Sequence, residues 1–191
     1  MERKFAGQNL RISGSFFILA ALMLLVLPLK WLLAAALAAA VHEIFHYLAL
    51  KLCRCKVLSL QVGTGGTVME LDCISRGKEL FCAMAGPVGG LTLLLFAKWL
   101  PRTAVCALVQ SAYNLLPLFP LDGGRALGCI SQMLLPPKAA SRFRAIVETI
   151  VRIGLCVLGI IGSLLWNLGI IPMLIAAVAL FRTFSEKSLE K

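Results

Sequence analysis

The stretch from Trp31 to Lys51 reads WLLAAALAAAVHEIFHYLALK. It is an unbroken apolar run of the roughly 20 residues that an α-helix needs to cross the hydrocarbon of a bilayer. It nevertheless carries His42, Glu43 and His46. Residues four apart lie on one face of a helix, so His42 and His46 can present both imidazoles to one point. They form His-Glu-x-x-His, the pattern in which two histidines bind a metal and the glutamate acts on a metal-activated water. They are also the only 2 histidines in the chain, and two placed at random fall four apart only about one time in a hundred. An ionisable side chain near the bilayer centre costs about 2.5–3.5 kcal/mol on insertion scales. A bound cation offsets that cost by attracting the carboxylate and taking the imidazole lone pairs. The alternative is a metal-free polar cluster that joins helices through hydrogen bonds.

The rest of the chain supports a lipid setting. Of 191 residues, 60% are hydrophobic and 15% charged, and the mean hydropathy is +0.90. A soluble domain this apolar lacks the polar surface to stay in solution. Six spans can be drawn, at about Ile12–Leu29, Trp31–Lys51, Leu80–Leu100, Thr103–Leu121, Ile146–Leu165 and Leu168–Phe184. With the N-terminus in the cytoplasm, 15 Lys and Arg fall inside, and only Lys30, Lys98 and Arg102 fall outside. This asymmetry orients a bacterial inner-membrane protein with both termini in the cytoplasm. It also explains the net charge of +10 through lipid headgroups, without nucleic acid. Arg152, inside the fifth span, has Glu148 one helical turn away as a partner. The N-terminal run could be a cleaved signal peptide, but cleavage after the alanine run would leave His42 near a free end, so a retained helix is expected. No folded domain is expected before Arg11 or after Phe184. The 7 cysteines show no CxxC pair and read as small apolar residues; Cys53-x-Cys55 as a metal pair is the minor alternative. The expected fold is an all-α polytopic membrane protein, one domain over residues 1–191. A small β-hairpin-like insertion at Val57–Leu71, around a glycine-rich turn, follows the second span.

A catalytic zinc has three protein ligands, and the third must come from another segment. Between Leu80 and Val147 the only acidic residue is Asp122, in NLLPLFPLDGGR (Asn114–Arg125). Pro117 and Pro120 break the end of the fourth span, and Gly123 and Gly124 permit a sharp turn and close approach. Asp122 is therefore expected on irregular backbone at the membrane's inner edge. The second and fourth spans run in the same direction, which brings Asp122 to the depth of His42 and His46. The alternative is an ordinary turn aspartate.

These two motifs together resemble the site-2 protease family of intramembrane metalloproteases. The match lies in His42–His46 and in Asn114–Gly124, which follows the pattern Asn-x-x-Pro-x-x-x-Leu-Asp-Gly. A weaker element is Ala85-Gly86-Pro87. The family often follows it with an asparagine, where this chain has Gly89 and Gly90, which leaves any polar role there open. The layout is most similar to the branch of the stage IV sporulation protein FB; the C-terminal CBS domain that this branch often carries is not expected here.

The resemblance implies a zinc endopeptidase with His42, His46 and Asp122 as ligands and Glu43 as general base and acid. Asn114 donates a hydrogen bond to the oxyanion or orients substrate; helix packing is its other reading. The implied partners are the bilayer, a transmembrane or membrane-associated protein substrate such as a sigma-factor precursor, and regulatory membrane proteins. The hairpin could pair with an unwound substrate, or be a plain cytoplasmic hairpin. Rival readings are a metal-ion carrier, an inactive protein that binds membrane partners, and a membrane-anchored zincin with a cytosolic site.

Overall fold

The computed structural model describes residues 2–5, 8–12, 28–55, 57–63, 66–71 and 75–165. In chain order these form strands β1 (Glu2–Phe5) and β2 (Gln8–Ile12), helix α1 (Leu29–Leu52), strands β3 (Val57–Gly63) and β4 (Gly66–Leu71), and helix α2 (Arg76–Thr92), which tightens into a 3-10 turn at Leu93–Phe96. Helices α3 (Pro101–Asn114), α4 (Asp122–Leu134) and α5 (Pro137–Leu165) follow. The chain divides at Leu135 into two units, so α5 is described by itself.

Helix α1 starts after the extended Pro28 and runs through the alanine- and leucine-rich segment without interruption. Its end is a Schellman cap. Arg54 N–H bonds the Lys51 carbonyl at 3.1 Å, and Cys55 N–H reaches back to the Leu50 carbonyl at 3.0 Å. Arg54 takes the left-handed backbone, φ 54°, that this motif needs and that glycine usually supplies. Among the described residues, three helices are long and apolar enough to cross a membrane, at Leu29–Leu52, Arg76–Phe96 and Pro137–Ser163. They match the second, third and fifth expected spans, with starts 2, 4 and 9 residues earlier. Large apolar side chains stand outward along and beside them, with Leu52 75%, Leu95 77% and Ile150 63% exposed. Water would penalise such surfaces, and lipid does not. On α5, Arg152 pairs with Glu148 at 2.9 Å, with both side chains mostly covered.

Three expectations change. The fourth span is not one helix to Leu121: α3 ends at Asn114 and irregular backbone carries the chain to Leu121. Pro117 lacks the N–H that would continue the ladder and disfavours helix at the residue before it. Helix α4 was not expected at all. Before and around Arg11, where no folded domain is expected, residues 2–5 and 8–12 form two strands, so the described residues hold more than one hairpin beside the helices. They contain a four-stranded sheet in the order β1-β2-β3-β4. β3 and β4 pair antiparallel, with Gly63 opposite Gly66, and β2 pairs parallel to β3 with Asn9 opposite Ser59. The β2–β3 pairing joins segments some fifty residues apart in sequence, and no local pattern announces such a partner. The first expected span lies outside the described residues except at its edges, and the sixth lies wholly outside them.

Within the first unit α1 packs on α2 and α3, and α2 packs on α3 and α4. The contacts are made by small residues: Ala38 and Ala107 meet at Leu93, and Ala49 meets Cys82 beside Leu50. Small side chains let helices approach closely where no hydrophobic drive exists between them. That closeness brings one face of α1 against α2 and the start of α4.

Candidate metal centre

His42 and His46 lie one turn apart on α1, their rings edge to face with centroids 4.8 Å apart. Their Nε2 atoms are 3.2 Å from each other. Asp122 Oδ2 lies 3.1 Å from Nε2 of His42 and 3.2 Å from Nε2 of His46. The three atoms thus form a nearly equilateral triangle. Ligands about 2.0–2.1 Å from a tetrahedral zinc stand about 3.3 Å apart, so the donor set and its spacing fit such an ion. All three residues are largely buried, at 3% side-chain exposure for His42 and 12% for the other two. Two imidazole nitrogens and a carboxylate oxygen at this range repel through their lone pairs unless protons or a cation lie between them.

Asp122 is not on irregular backbone, as expected, but is the first residue of α4. A carboxylate in the first turn of a helix is stabilised by the unpaired N–H groups and the dipole there. Gly123 and Gly124 serve the close approach. A Cβ on Gly123 would collide with the carbonyl oxygen of Leu115, and one on Gly124 with the carbonyl of Leu118. The helix start can therefore lie against the Leu115–Phe119 backbone and aim Asp122 at α1.

His46 is also held from behind. Its Nδ1–H donates to the Cys82 carbonyl on α2 at 2.8 Å. This fixes the tautomer and turns the Nε2 lone pair toward Asp122. Glu43 follows His42 on α1, is half-buried and makes no hydrogen bond to any described residue. Asn114, at the end of α3, places Nδ2 3.4 Å from His42 Nε2. The structure therefore brings His42, His46, Asp122 and Asn114 to one point, with Glu43 adjacent in sequence.

Sequence reading noted Gly86 without giving it a role. A Cβ there would collide with Nε2 of His46 and lie 2.7 Å from Nε2 of His42. Gly89 makes the same room for Phe45. Each glycine inside a helix costs roughly 0.5–1 kcal/mol relative to alanine. The run Gly86-Pro87-x-Gly89-Gly90 in an apolar span was the signal of close approach. The thiols of Cys53, Cys55 and Cys82 lie within 4.8 Å of one another, in an apolar cluster with Ala49, Leu50 and Ala85.

No family model matches the chain. In fold, the chain is similar to the site-2 protease from Methanocaldococcus jannaschii, with a TM-score of 0.66 at 21% identity, covering 95% of this chain and 92% of that one. The fold is thus that of a site-2 protease. In sequence, the chain is 31% identical over 193 residues to the stage IV sporulation protein FB of Bacillus subtilis (strain 168), covering 91% of this chain. The chain spans 62% of the length of that relative. The resemblance first seen in two motifs thus extends to the fold and to most of the chain.

Proposed function

We propose that this chain is an intramembrane zinc metalloendopeptidase. The observation that carries the reading is the triangle of His42 Nε2, His46 Nε2 and Asp122 Oδ2, with sides of 3.1–3.2 Å, set beside Glu43. His42, His46 and Asp122 would hold the ion. When bound, zinc supplies Lewis acidity, which acidifies water and polarises a carbonyl. Glu43 takes a proton from the attacking water on its carboxylate and returns it to the departing amine nitrogen. Asn114 donates from Nδ2 toward the oxygen that gains charge. The cover of α2 over the imidazoles keeps bulk water away and strengthens these interactions.

A helical substrate must expose its peptide groups to be cut, and these then need partners. The sheet refines the expectation placed on the hairpin. β3 is flanked by both β2 and β4, so it has no free edge. The outer edge of β4 is unpaired among the described residues and is where extended substrate would add. The substrate class is a membrane-embedded or membrane-associated protein. A sporulation-type sigma-factor precursor is the finer reading, supported by the likeness to the sporulation protein. The basic residues support a cytoplasmic position for both termini.

The test uses the full chain purified in detergent. Zinc content and cleavage of a single-span test protein are measured for the wild type and Glu43→Gln. Zinc in both with cleavage only by the wild type is the expected result. Equal cleavage would remove Glu43 from the chemistry. Zinc flux into liposomes unchanged by the substitution, with no cleavage by either, would instead indicate a carrier.

A further inference from the structure

The two imidazoles of the cage are held unequally. His46 donates a hydrogen bond from Nδ1–H to the Cys82 carbonyl. His42 is 3% exposed, and its Nδ1 has no hydrogen-bond partner among the described residues. With its Nε2 lone pair turned to a cation, Nδ1 must carry a proton, and a buried donor left unpaired is costly. Metal-ligating histidines almost always hand this proton to an acceptor.

A second orphan stands nearby. Ser111 on α3 is 0% exposed, and its Oγ is also unpaired among the described residues. Both atoms lie against one spot beside Gly90 of α2. The point where a Cβ on Gly90 would lie is 2.6 Å from Ser111 Oγ, 3.8 Å from His42 Nδ1 and 4.0 Å from the Ala107 carbonyl oxygen. The neighbours that helices α1 and α3 bring to this space are all polar: a hydroxyl, a ring nitrogen and a carbonyl. A buried water is stable where it finds 2–4 such partners in room for about one probe sphere.

We propose that Ser111 and the Ala107 carbonyl hold one buried water beside Gly90, and that this water accepts the Nδ1 proton of His42. The inference rests on the reading of His42 as a metal ligand. The water accepts from His42 Nδ1–H, donates one hydrogen to the Ala107 carbonyl and donates the other to Ser111 Oγ. Ser111 is thus a positioning residue: it never touches the ion, but it fixes which nitrogen of His42 is free to bind. Glycine at 90 leaves the space that any side chain would fill. The two imidazoles then have equivalent anchors from different sources, a main-chain carbonyl for His46 and a serine-held water for His42.

The test measures zinc affinity of the full chain in detergent by competition with a chelator. His42→Ala is the reference and loses tight zinc binding if the cage reading is right; unchanged affinity there sinks that reading, whatever Ser111 does. Given that loss, Ser111→Ala and Ser111→Cys, which keeps the volume but bonds weakly, are each expected to loosen zinc about 10- to 100-fold. Gly90→Ala, whose methyl enters the niche, is expected to do the same. The cobalt-substituted protein should show shifted visible bands in Ser111→Cys, while the metal-free melting temperature stays that of the wild type. Zinc affinity within twofold of wild type in both serine variants would overturn the proposal. So would loss of metal-free stability in step with affinity, which marks a packing role alone.

Discussion

Gly86→Ala separates the fold from the site in one methyl group. Alanine in a helix is favoured over glycine by about 0.5–1 kcal/mol, so propensity alone predicts a firmer α2. The site predicts the reverse. The new Cβ would lie 2.7 Å from His42 Nε2 and closer still to His46 Nε2. Ordinary contact between such atoms begins at about 3.4 Å, so the rings or the helix must yield by roughly 0.7 Å or more. Displacements near 1 Å at a reacting centre cost about a hundredfold in rate. Gly77, in the first turn of the same helix, has nothing within 4 Å of its own Cβ position, which makes Gly77→Ala the matched control. Cleavage of a single-span test protein and zinc content are measured for both. Gly86→Ala should fall about a hundredfold in cleavage and lose zinc, while Gly77→Ala keeps both. A Gly86→Ala protein with full zinc and wild-type cleavage would show that α2 does not press on the two imidazoles, and the packing argument would fail.

Other substitutions probe the remaining parts. Asp122→Asn keeps the shape but removes the charge that faces both imidazoles at 3.1–3.2 Å; zinc retained after dialysis should drop, and full retention would disqualify the carboxylate as ligand. Dialysis of the wild type against a strong chelator should abolish cleavage, with recovery on adding zinc; persistent activity in the stripped protein would refute a metal mechanism. Glu148→Ala leaves Arg152 without its 2.9 Å partner and should lower membrane insertion of α5 by up to about 2.5–3.5 kcal/mol, with Glu148→Ala/Arg152→Ala restoring it. An insertion assay in which the double variant behaves like the single would deny the pairing.

Much of the site was legible before any coordinates. His-Glu-x-x-His needs only helical periodicity to bring two rings together, and that periodicity is local. Asp122 stands out by elimination among acidic residues, and Gly123 and Gly124 beside it permit the close approach seen at Leu115 and Leu118. Its setting was misjudged because thirteen residues with three glycines, Asp122–Leu134, are weak helix formers alone. Packing on α2 supplies what propensity lacks. Gly86 and the Cys82 carbonyl were invisible for another reason. One acts by having no side chain and the other through the main chain, and neither has a residue type that announces chemistry. The β1–β2 strands were missed because their stabilising partner is β3, far along the chain.

The left-handed Arg54 gives the candidate metal centre a depth gauge. A non-glycine residue in this conformation carries a steric cost of about 1–2 kcal/mol, yet the chain keeps a cation here, where α1 ends. A guanidinium at that level can grip phosphate headgroups and moor the helix end. His46 lies six residues before the end of α1 at Leu52, about 9 Å along the helix axis. Lengthening or shortening the helix between residues 46 and 52 should then move the two imidazoles relative to that mooring.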